Sequence, residues 1–193
     1  MSTKSILIFK SSPRKNSNST ILADEFARGA GETGASVQSF SLQSMNIKPC
    51  TACDHCLREG VCNIDDDMQT LYPLLKDADI IVVASPVYWF TLSAQAKLCI
   101  DRWYGLLMPG GSCWLQGKQF VLILTYGDTN LETSGGSNAV HTFQDMTRYL
   151  QADLAGVIHG SAGNAGDIKK QPALLEQAYQ LGKKLGKETP SSR

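Results

Sequence analysis

The sequence predicts an α/β fold, in which an open, doubly wound sheet of five parallel strands carries helices on both faces. Two observations predict it. Short, continuous apolar runs, typical of strands covered on both faces, alternate along the chain with stretches whose apolar residues recur every three or four positions, as in amphipathic helices. The connections are short, and such strand–helix–strand units form parallel sheets. With 193 residues and 42% hydrophobic side chains, a single domain over residues 1–193 is expected.

Five apolar segments are the predicted strands. They are Ile6–Phe9, Val37–Leu42, Ile80–Ala84, Phe120–Thr125 and Leu154–Ile158. The predicted helices have apolar positions that begin at Ile21, Met68, Ala96, Phe143 and Leu174. Pro172 suits the first position of the last helix, whereas Pro73 predicts a kink or an early end in the second helix, because proline lacks an N–H. Lys187–Arg193 is expected to be a frayed tail.

The composition excludes several classes of function. Eighteen basic and eighteen acidic side chains give a formal net charge of zero, which argues against a dedicated nucleic acid binder. No apolar run approaches the roughly 20 residues that span a membrane, and the first ten residues are too weakly apolar for a signal peptide. We therefore expect a cytoplasmic protein with no nucleic acid or membrane partner, whose thiols are normally reduced.

The loop after the first strand predicts a phosphate site. Seven of the ten residues in Ser11–Thr20 carry hydroxyl or amide groups, and they lead into a helix whose first N–H groups attract an anion. Between Lys10 and Gly29 there is no glycine, so neither a dinucleotide fingerprint nor a nucleoside triphosphate loop is present. The segment favours a terminal monophosphate, and the alternative is a solvated loop with an ordinary helix cap.

Two further loops follow predicted strands. Ser85–Lys97 contains Pro86 and three consecutive aromatic residues, and it would lie beside the phosphate loop, where ligands bind in open α/β sheets. It suits a large flat ring, or else its aromatic residues merely pack over the sheet end. Tyr126–Asn130 includes a glycine that allows close approach to a ligand, although a flexible surface loop accounts for it equally well.

Four of the six cysteines stand within thirteen residues, inside an aperiodic stretch at Gln43–Asp67. These are Cys50, Cys53, Cys56 and Cys62. Their two gaps of two residues and one of five are more compact than the separated pairs of a zinc ribbon, and they suit an iron–sulfur cluster. Reduced thiols, an oxidised pair and zinc remain alternatives. The acidic run at Asp65–Asp67 is interpreted as favourable charge at a helix start.

Together, Ser11–Thr20, Ser85–Trp89, Ser93–Lys97, Ile100–Arg102 and the cysteine cluster resemble the NADPH-dependent FMN reductase and iron–sulfur flavoprotein family. The resemblance implies a flavodoxin-like fold, non-covalent FMN, and a homodimer or homotetramer with the flavin near a subunit interface. It assigns the FMN phosphate to Ser11, Arg14, Ser17, Asn18, Ser19 and Thr20. It assigns the isoalloxazine to Pro86, Val87, Tyr88, Trp89 and Phe90, with Tyr126 and Gly127 beside them. It implies a [4Fe–4S] cluster on Cys50, Cys53, Cys56 and Cys62.

The function implied is an FMN-dependent oxidoreductase that takes hydride from NAD(P)H and reduces a quinone, a flavin or another small acceptor. No side chain is assigned as catalytic, because the cofactor supplies the chemistry. One alternative is an iron–sulfur flavoprotein that carries electrons between FMN, a [4Fe–4S] cluster and a ferredoxin-like partner. Flavodoxin-type carriers are usually acidic, and the balanced charge disfavours such a carrier. Another alternative is a structural zinc module without flavin.

Overall fold

The computed structural model describes residues 3–187. The strands are β1 (Ser5–Lys10), β2 (Ser36–Ser41), β3 (Ile80–Tyr88), β4 (Thr91–Leu92), β5 (Gln119–Tyr126) and β6 (Asp153–Ser161). The α-helices are α1 (Asn18–Gly31), α2 (His55–Glu59), α3 (Met68–Asp77), α4 (Ala94–Asp101), α5 (Gly136–Tyr149) and α6 (Pro172–Lys187). Short 3-10 turns occur at Leu42–Ser44, Arg102–Leu106 and Asp167–Lys170.

Five strands form a parallel sheet in the order β2-β1-β3-β5-β6. The predicted doubly wound sheet is therefore confirmed. The structure adds a sixth strand, the two-residue β4, which pairs antiparallel with the end of β3. The strand order reverses between β1 and β3, and this reversal is where ligands bind in such sheets.

Each face of the sheet packs on its own set of helices. Leu7 and Phe9 point towards α3, α4 and α5, whereas Ile6 and Ile8 point towards α1 and α6. All four side chains are buried. Alternate residues of a strand face opposite sides, so a strand that is covered on both sides needs a continuous apolar run. This arrangement explains the pattern from which the strands were predicted.

The contact between α1 and α6 is unusually close. A Cβ atom added at Gly29 would lie 2.0 Å from the carbonyl oxygen of Tyr179, and one added at Gly182 would lie 2.0 Å from that of Phe26. Glycine at both positions lets the two backbones touch. This contact holds α6 and the turn before it beside α1. The first residues of α1 form part of the site described below.

Two local predictions need correction. α3 continues four residues beyond Pro73 to Asp77, so the predicted early end of this helix is wrong. Leu71 and Leu75 on either side of the proline are fully buried, and this packing retains the helix despite the lost N–H. Lys187 ends α6, while residues 188–193 of the predicted frayed tail lie outside the described residues. Within the described range, no helix has the length and apolarity required to cross a membrane.

Candidate functional site

An open cleft with a cavity volume of about 140 Å³ lies at the carboxyl ends of β1, β3, β5 and β6. Eight of the residues predicted to bind FMN line it: Arg14, Ser17, Asn18, Pro86, Val87, Tyr88, Tyr126 and Gly127. The structure thus brings the loops after the first and third strands to one site, together with the end of β5.

The polar end of the cleft is built at the start of α1. Ser17 is the N-cap residue of this helix, and its hydroxyl accepts a hydrogen bond from the Thr20 N–H at 3.2 Å and donates one to Thr20 Oγ1 at 2.8 Å. Arg14 adds a guanidinium to the same wall. A helix amino terminus with hydroxyl groups and a cation provides the donors that a phosphate dianion requires. Thr20 supports this end through Ser17 and does not line the cleft.

Ser11 and Ser19 are buried and do not line the cleft. The Ser11 hydroxyl donates to the carbonyl of Ala84 at 3.0 Å and accepts a hydrogen bond from Ser93 Oγ at 2.9 Å. Ser93 is in turn the N-cap of α4, so Ser11 joins the first loop to the third strand and its following helix. The Ser19 hydroxyl is fully buried and has no hydrogen-bond partner within residues 3–187.

Asn18 connects α1 to the loop that follows β6. Its amide donates to the carbonyls of Ala162 at 3.3 Å and Asn164 at 2.9 Å, and its Oδ1 accepts from the N–H of Ile168 at 3.2 Å. Five lining residues were absent from the sequence-based set: Ser12, Thr125, Ala162, Gly163 and Ala165. The last three lie on the loop held by Asn18. They follow the predicted strand Leu154–Ile158, and the rule that ligands bind at the carboxyl ends of strands could have identified them.

Trp89 and Phe90 lie at the tip of a hairpin and not in the cleft wall. They connect β3 to β4, where Tyr88 pairs with Thr91, and both have left-handed backbones, with φ of +48° and +68°. Such turns usually contain Asn-Gly, and bulky residues in this conformation cost about 1–3 kcal/mol each. Trp89 is 92% exposed and Phe90 is 55% exposed. The Asn138 amide of α5 donates to the carbonyl of Phe90 at 3.0 Å and fixes the tip.

A tyrosine–histidine pair stands at the β5 end of the cleft. The Tyr126 hydroxyl lies 2.9 Å from His159 Nδ1, and the two rings stack with 29° between their planes. Burial raises the pKa of Tyr126, so its hydroxyl stays protonated at neutral pH. His159 is exposed. The pair therefore connects a residue that lines the cleft with solvent.

The four clustered cysteines line a second, much smaller cavity of about 20 Å³, together with Arg102 and Tyr104. All are free thiols. The Cys62 sulfur accepts a hydrogen bond from Arg102 Nη2 at 3.4 Å. Burial acts to raise the pKa of Cys62, but hydrogen bonds from the Ile64 N–H, the Tyr72 hydroxyl and Arg102 hold this pKa below its ordinary value. Burial and the nearby Cys62 raise the pKa of Cys56. Among residues 3–187, none lines both cavities.

Single-ion binding is not supported by the arrangement of these thiols. Among residues 3–187, no three histidine, cysteine or carboxylate side chains are placed to hold one metal ion. A [4Fe–4S] cubane differs, because each of its four irons takes one thiolate. A set of four thiols around one cavity, with an N–H donor to one sulfur, is the donor chemistry that such a cluster needs.

A buried ion pair holds the cysteine-bearing loop against the end of α4. The side chains of Arg102 and Asp66 are 1% and 0% exposed. Arg102 donates to both carboxylate oxygens of Asp66 and to the carbonyl of Lys48. Asp66 Oδ1 also accepts a hydrogen bond from the N–H of Met68, the first residue of α3, at 3.0 Å, so this carboxylate lies at the helix start. Its buried partner, 36 residues away, was not predicted.

The chain matches the family model for NADPH-dependent FMN reductases over residues 5–166. It is 34% identical over 176 residues to an iron–sulfur flavoprotein of Archaeoglobus fulgidus, with 90% of this chain and 75% of that protein covered. It is 36% identical over 179 residues to an iron–sulfur flavoprotein of Methanocaldococcus jannaschii, with 90% and 91% covered.

Solved structures share the fold. An NAD(P)H:quinone oxidoreductase from Methanothermobacter marburgensis superposes with a TM-score of 0.73 at 21% identity, over 97% of this chain and all of that one. The resemblance read from the loops and cysteines is confirmed. Because the family model covers most of the chain and both relatives exceed 30% identity over nine tenths of it, the chain belongs to the NADPH-dependent FMN reductase family and is an FMN-containing oxidoreductase that takes electrons from NAD(P)H.

Proposed function

We propose that the protein oxidises NAD(P)H and reduces a small acceptor, such as a quinone or a free flavin, in the cleft at the carboxyl ends of the strands. The observation that carries the proposal is the composition of that cleft. A helix amino terminus with Arg14 and Ser17 forms one end, and the Pro86–Tyr88 segment with Tyr126 forms another wall. This pairing of an anion site with an aromatic, partly apolar wall matches a phosphate joined to a flat ring.

The residues present fit FMN. Arg14, Ser12 and Ser17 would hold the phosphate, because each is a cationic or hydroxyl group that lines the cleft at the start of α1. Pro86, Val87 and Tyr88 would lie against the isoalloxazine. When bound, FMN supplies hydride acceptance at N5 and the return of electrons to an acceptor. The part of the chain is to bind FMN and to orient it.

We expect the purified yellow protein to bleach rapidly when it is mixed with NADPH or NADH without oxygen, and to recover its colour when menadione is added. The reason is that a reductase accepts hydride directly, whereas an electron carrier requires a protein donor. Stopped-flow absorbance in the flavin band measures both phases. A protein that retains FMN but bleaches only with dithionite or reduced ferredoxin would contradict the reductase proposal and support the carrier.

A second candidate function is favoured by the cysteine cavity. We propose that Cys50, Cys53, Cys56 and Cys62 hold a [4Fe–4S] cluster, which would pass electrons between FMN and a ferredoxin-like partner. Two observations support it: the four thiols line one cavity, and the relatives at 34% and 36% identity are named iron–sulfur flavoproteins. The two cavities share no lining residue, so such a cluster would not lie against the flavin of its own cleft.

Anaerobic reconstitution tests the cluster. With ferrous iron and sulfide, the protein is expected to take up about four of each per chain, as a [4Fe–4S] centre requires. Cys53→Ser should lose most of this iron, since Cys53 lines the cavity. Cys113→Ser is the matched control, because Cys113 lies outside that cavity, and it should load normally. Iron uptake by Cys53→Ser equal to that of the unmodified chain would refute the assignment.

We also propose that the chain assembles as a homodimer or homotetramer. The exposed Trp89 and Phe90 support this, because large apolar side chains held at a strained turn beside the cleft gain burial when a second copy covers them. Sedimentation velocity on the FMN-loaded protein measures the assembly, and a monomer at micromolar concentration would contradict the proposal.

A further inference from the structure

The hydrogen bond between Tyr126 and His159 joins β5 to β6, and neither residue belongs to the helix start assigned to the phosphate. Tyr126 ends β5 and lines the cleft. His159 is on the adjacent strand β6 and is exposed. The 2.9 Å contact between the hydroxyl and Nδ1 leaves Nε2 of the imidazole as the second ring nitrogen. Solvent on one side and the cleft on the other are therefore joined by two hydrogen-bonding groups.

We propose that Tyr126 and His159 form a proton relay from solvent to the cleft, which serves acceptors that take up protons when they are reduced, such as quinones. This rests on the proposed function and narrows its substrate class. Tyr126 is the group that would touch the acceptor. His159 acts through Tyr126: it positions the tyrosine hydroxyl and passes a proton to it.

The reaction needs such a supply. Reduction of a quinone to a hydroquinone consumes two electrons and two protons, and NAD(P)H delivers two electrons with one proton as hydride. The remaining proton comes from solvent, so that NAD(P)H, a quinone and H⁺ give NAD(P)⁺ and a hydroquinone. In the relay, the O–H bond of Tyr126 breaks as its proton bonds to the acceptor oxygen. The Nδ1–H bond of a protonated His159 breaks at the same time and restores the hydroxyl, and solvent then reprotonates the imidazole.

The geometry supports this order of transfer. The phenol can donate to neutral Nδ1, or it can accept from a protonated Nδ1 and turn its own hydrogen towards the cleft. Burial raises the pKa of Tyr126, so a free tyrosinate is disfavoured. The hydroxyl must therefore receive a proton from His159 as it gives its own proton to the acceptor. The two rings stack with centroids 6.0 Å apart, and this contact keeps the hydroxyl and the imidazole close to each other.

The test compares acceptors that differ in proton demand. Menadione takes up protons on reduction, whereas ferricyanide takes up one electron and no proton. For His159→Gln and Tyr126→Phe, we expect the ratio of menadione to ferricyanide turnover with NADPH to fall about 100-fold, within the range for loss of a general acid. His141→Gln, which changes another exposed histidine, on α5, should leave the ratio unchanged.

A second measurement does not depend on turnover. In the flavin-free full chain, ¹⁵N NMR should report Nδ1 of His159 as hydrogen-bonded, and Tyr126→Phe should shift that resonance while the His141 signals stay in place. If turnover with both acceptors falls in parallel, or if the ratio is unchanged in both variants, the relay is refuted while the reductase stands. If the unmodified protein reduces neither acceptor with NAD(P)H, the proposed function fails first.

Discussion

Replacement of Asp66 with alanine should lower the free energy of unfolding by about 3–5 kcal/mol, the usual cost of leaving one partner of a buried ion pair uncompensated. Arg102 would keep its charge while 1% exposed, and its Nε atom already lacks a hydrogen-bond partner in the described part of the chain. The carboxylate also accepts hydrogen bonds from the N–H groups of Lys48 at 2.8 Å and Met68 at 3.0 Å. The variant would therefore lose the contacts that hold the two ends of the cysteine-bearing loop together.

Denaturant titration measures this change, and Asp65→Ala is its matched control, because Asp65 is the exposed neighbour in the same acidic run. An exposed carboxylate contributes roughly 0–1 kcal/mol, so the control should unfold nearly as the unmodified protein does. In the native state of Asp66→Ala, Cys53 and Cys62 should react faster with a thiol reagent. Equal stability of the two variants would contradict the assignment of Asp66–Arg102 as the anchor of the loop.

The sheet could be predicted from sequence because both of its faces are covered. Ile80–Ala84 must be apolar at every position to fill two cores, and in a short segment this pattern is typical of a strand buried on both sides. β4 could not be predicted, since its turn contains Trp89 and Phe90 in place of the residues that usually permit left-handed backbones. The tertiary contact from Asn138 to the turn replaces that local signal, and it is invisible along the chain.

Within the site, the sequence pointed to the loops Ser11–Thr20 and Ser85–Lys97, because ligands bind at the carboxyl ends of strands, and part of each loop lines the cleft. The residue type could not indicate which way each side chain points. Ser11 and Ser17 are both hydroxyl residues in one loop, yet Ser11 turns inward to Ser93 and Ala84 while Ser17 lines the cleft. The Asp66–Arg102 pair was missed for a related reason, because 36 residues separate its members and no local periodicity connects them.

Arg14→Gln should weaken FMN binding by about tenfold at low ionic strength, because it removes a charge-assisted hydrogen bond to the phosphate. Arg14 is exposed at the rim of the cleft, so solvent and salt screen its charge, and the loss should shrink as salt is added. Riboflavin has the same ring without the phosphate. Its affinity should therefore be unchanged in the variant, and the preference for FMN over riboflavin should fall by the same factor of about ten.

The neighbouring cation provides the control. Lys15 is exposed like Arg14 but does not line the cleft, so Lys15→Gln removes the same charge from the same loop without removing a ligand contact. Fluorescence quenching of FMN and riboflavin, titrated with each flavin-free variant, separates the possibilities. If Arg14→Gln weakens the binding of FMN and riboflavin equally, the guanidinium contacts the ring. If Arg14→Gln and Lys15→Gln weaken FMN binding equally, Arg14 contributes only a general electrostatic attraction. Only a selective loss of FMN in Arg14→Gln supports the start of α1 as the phosphate site, and with it the orientation of the ring towards Tyr88 and Tyr126.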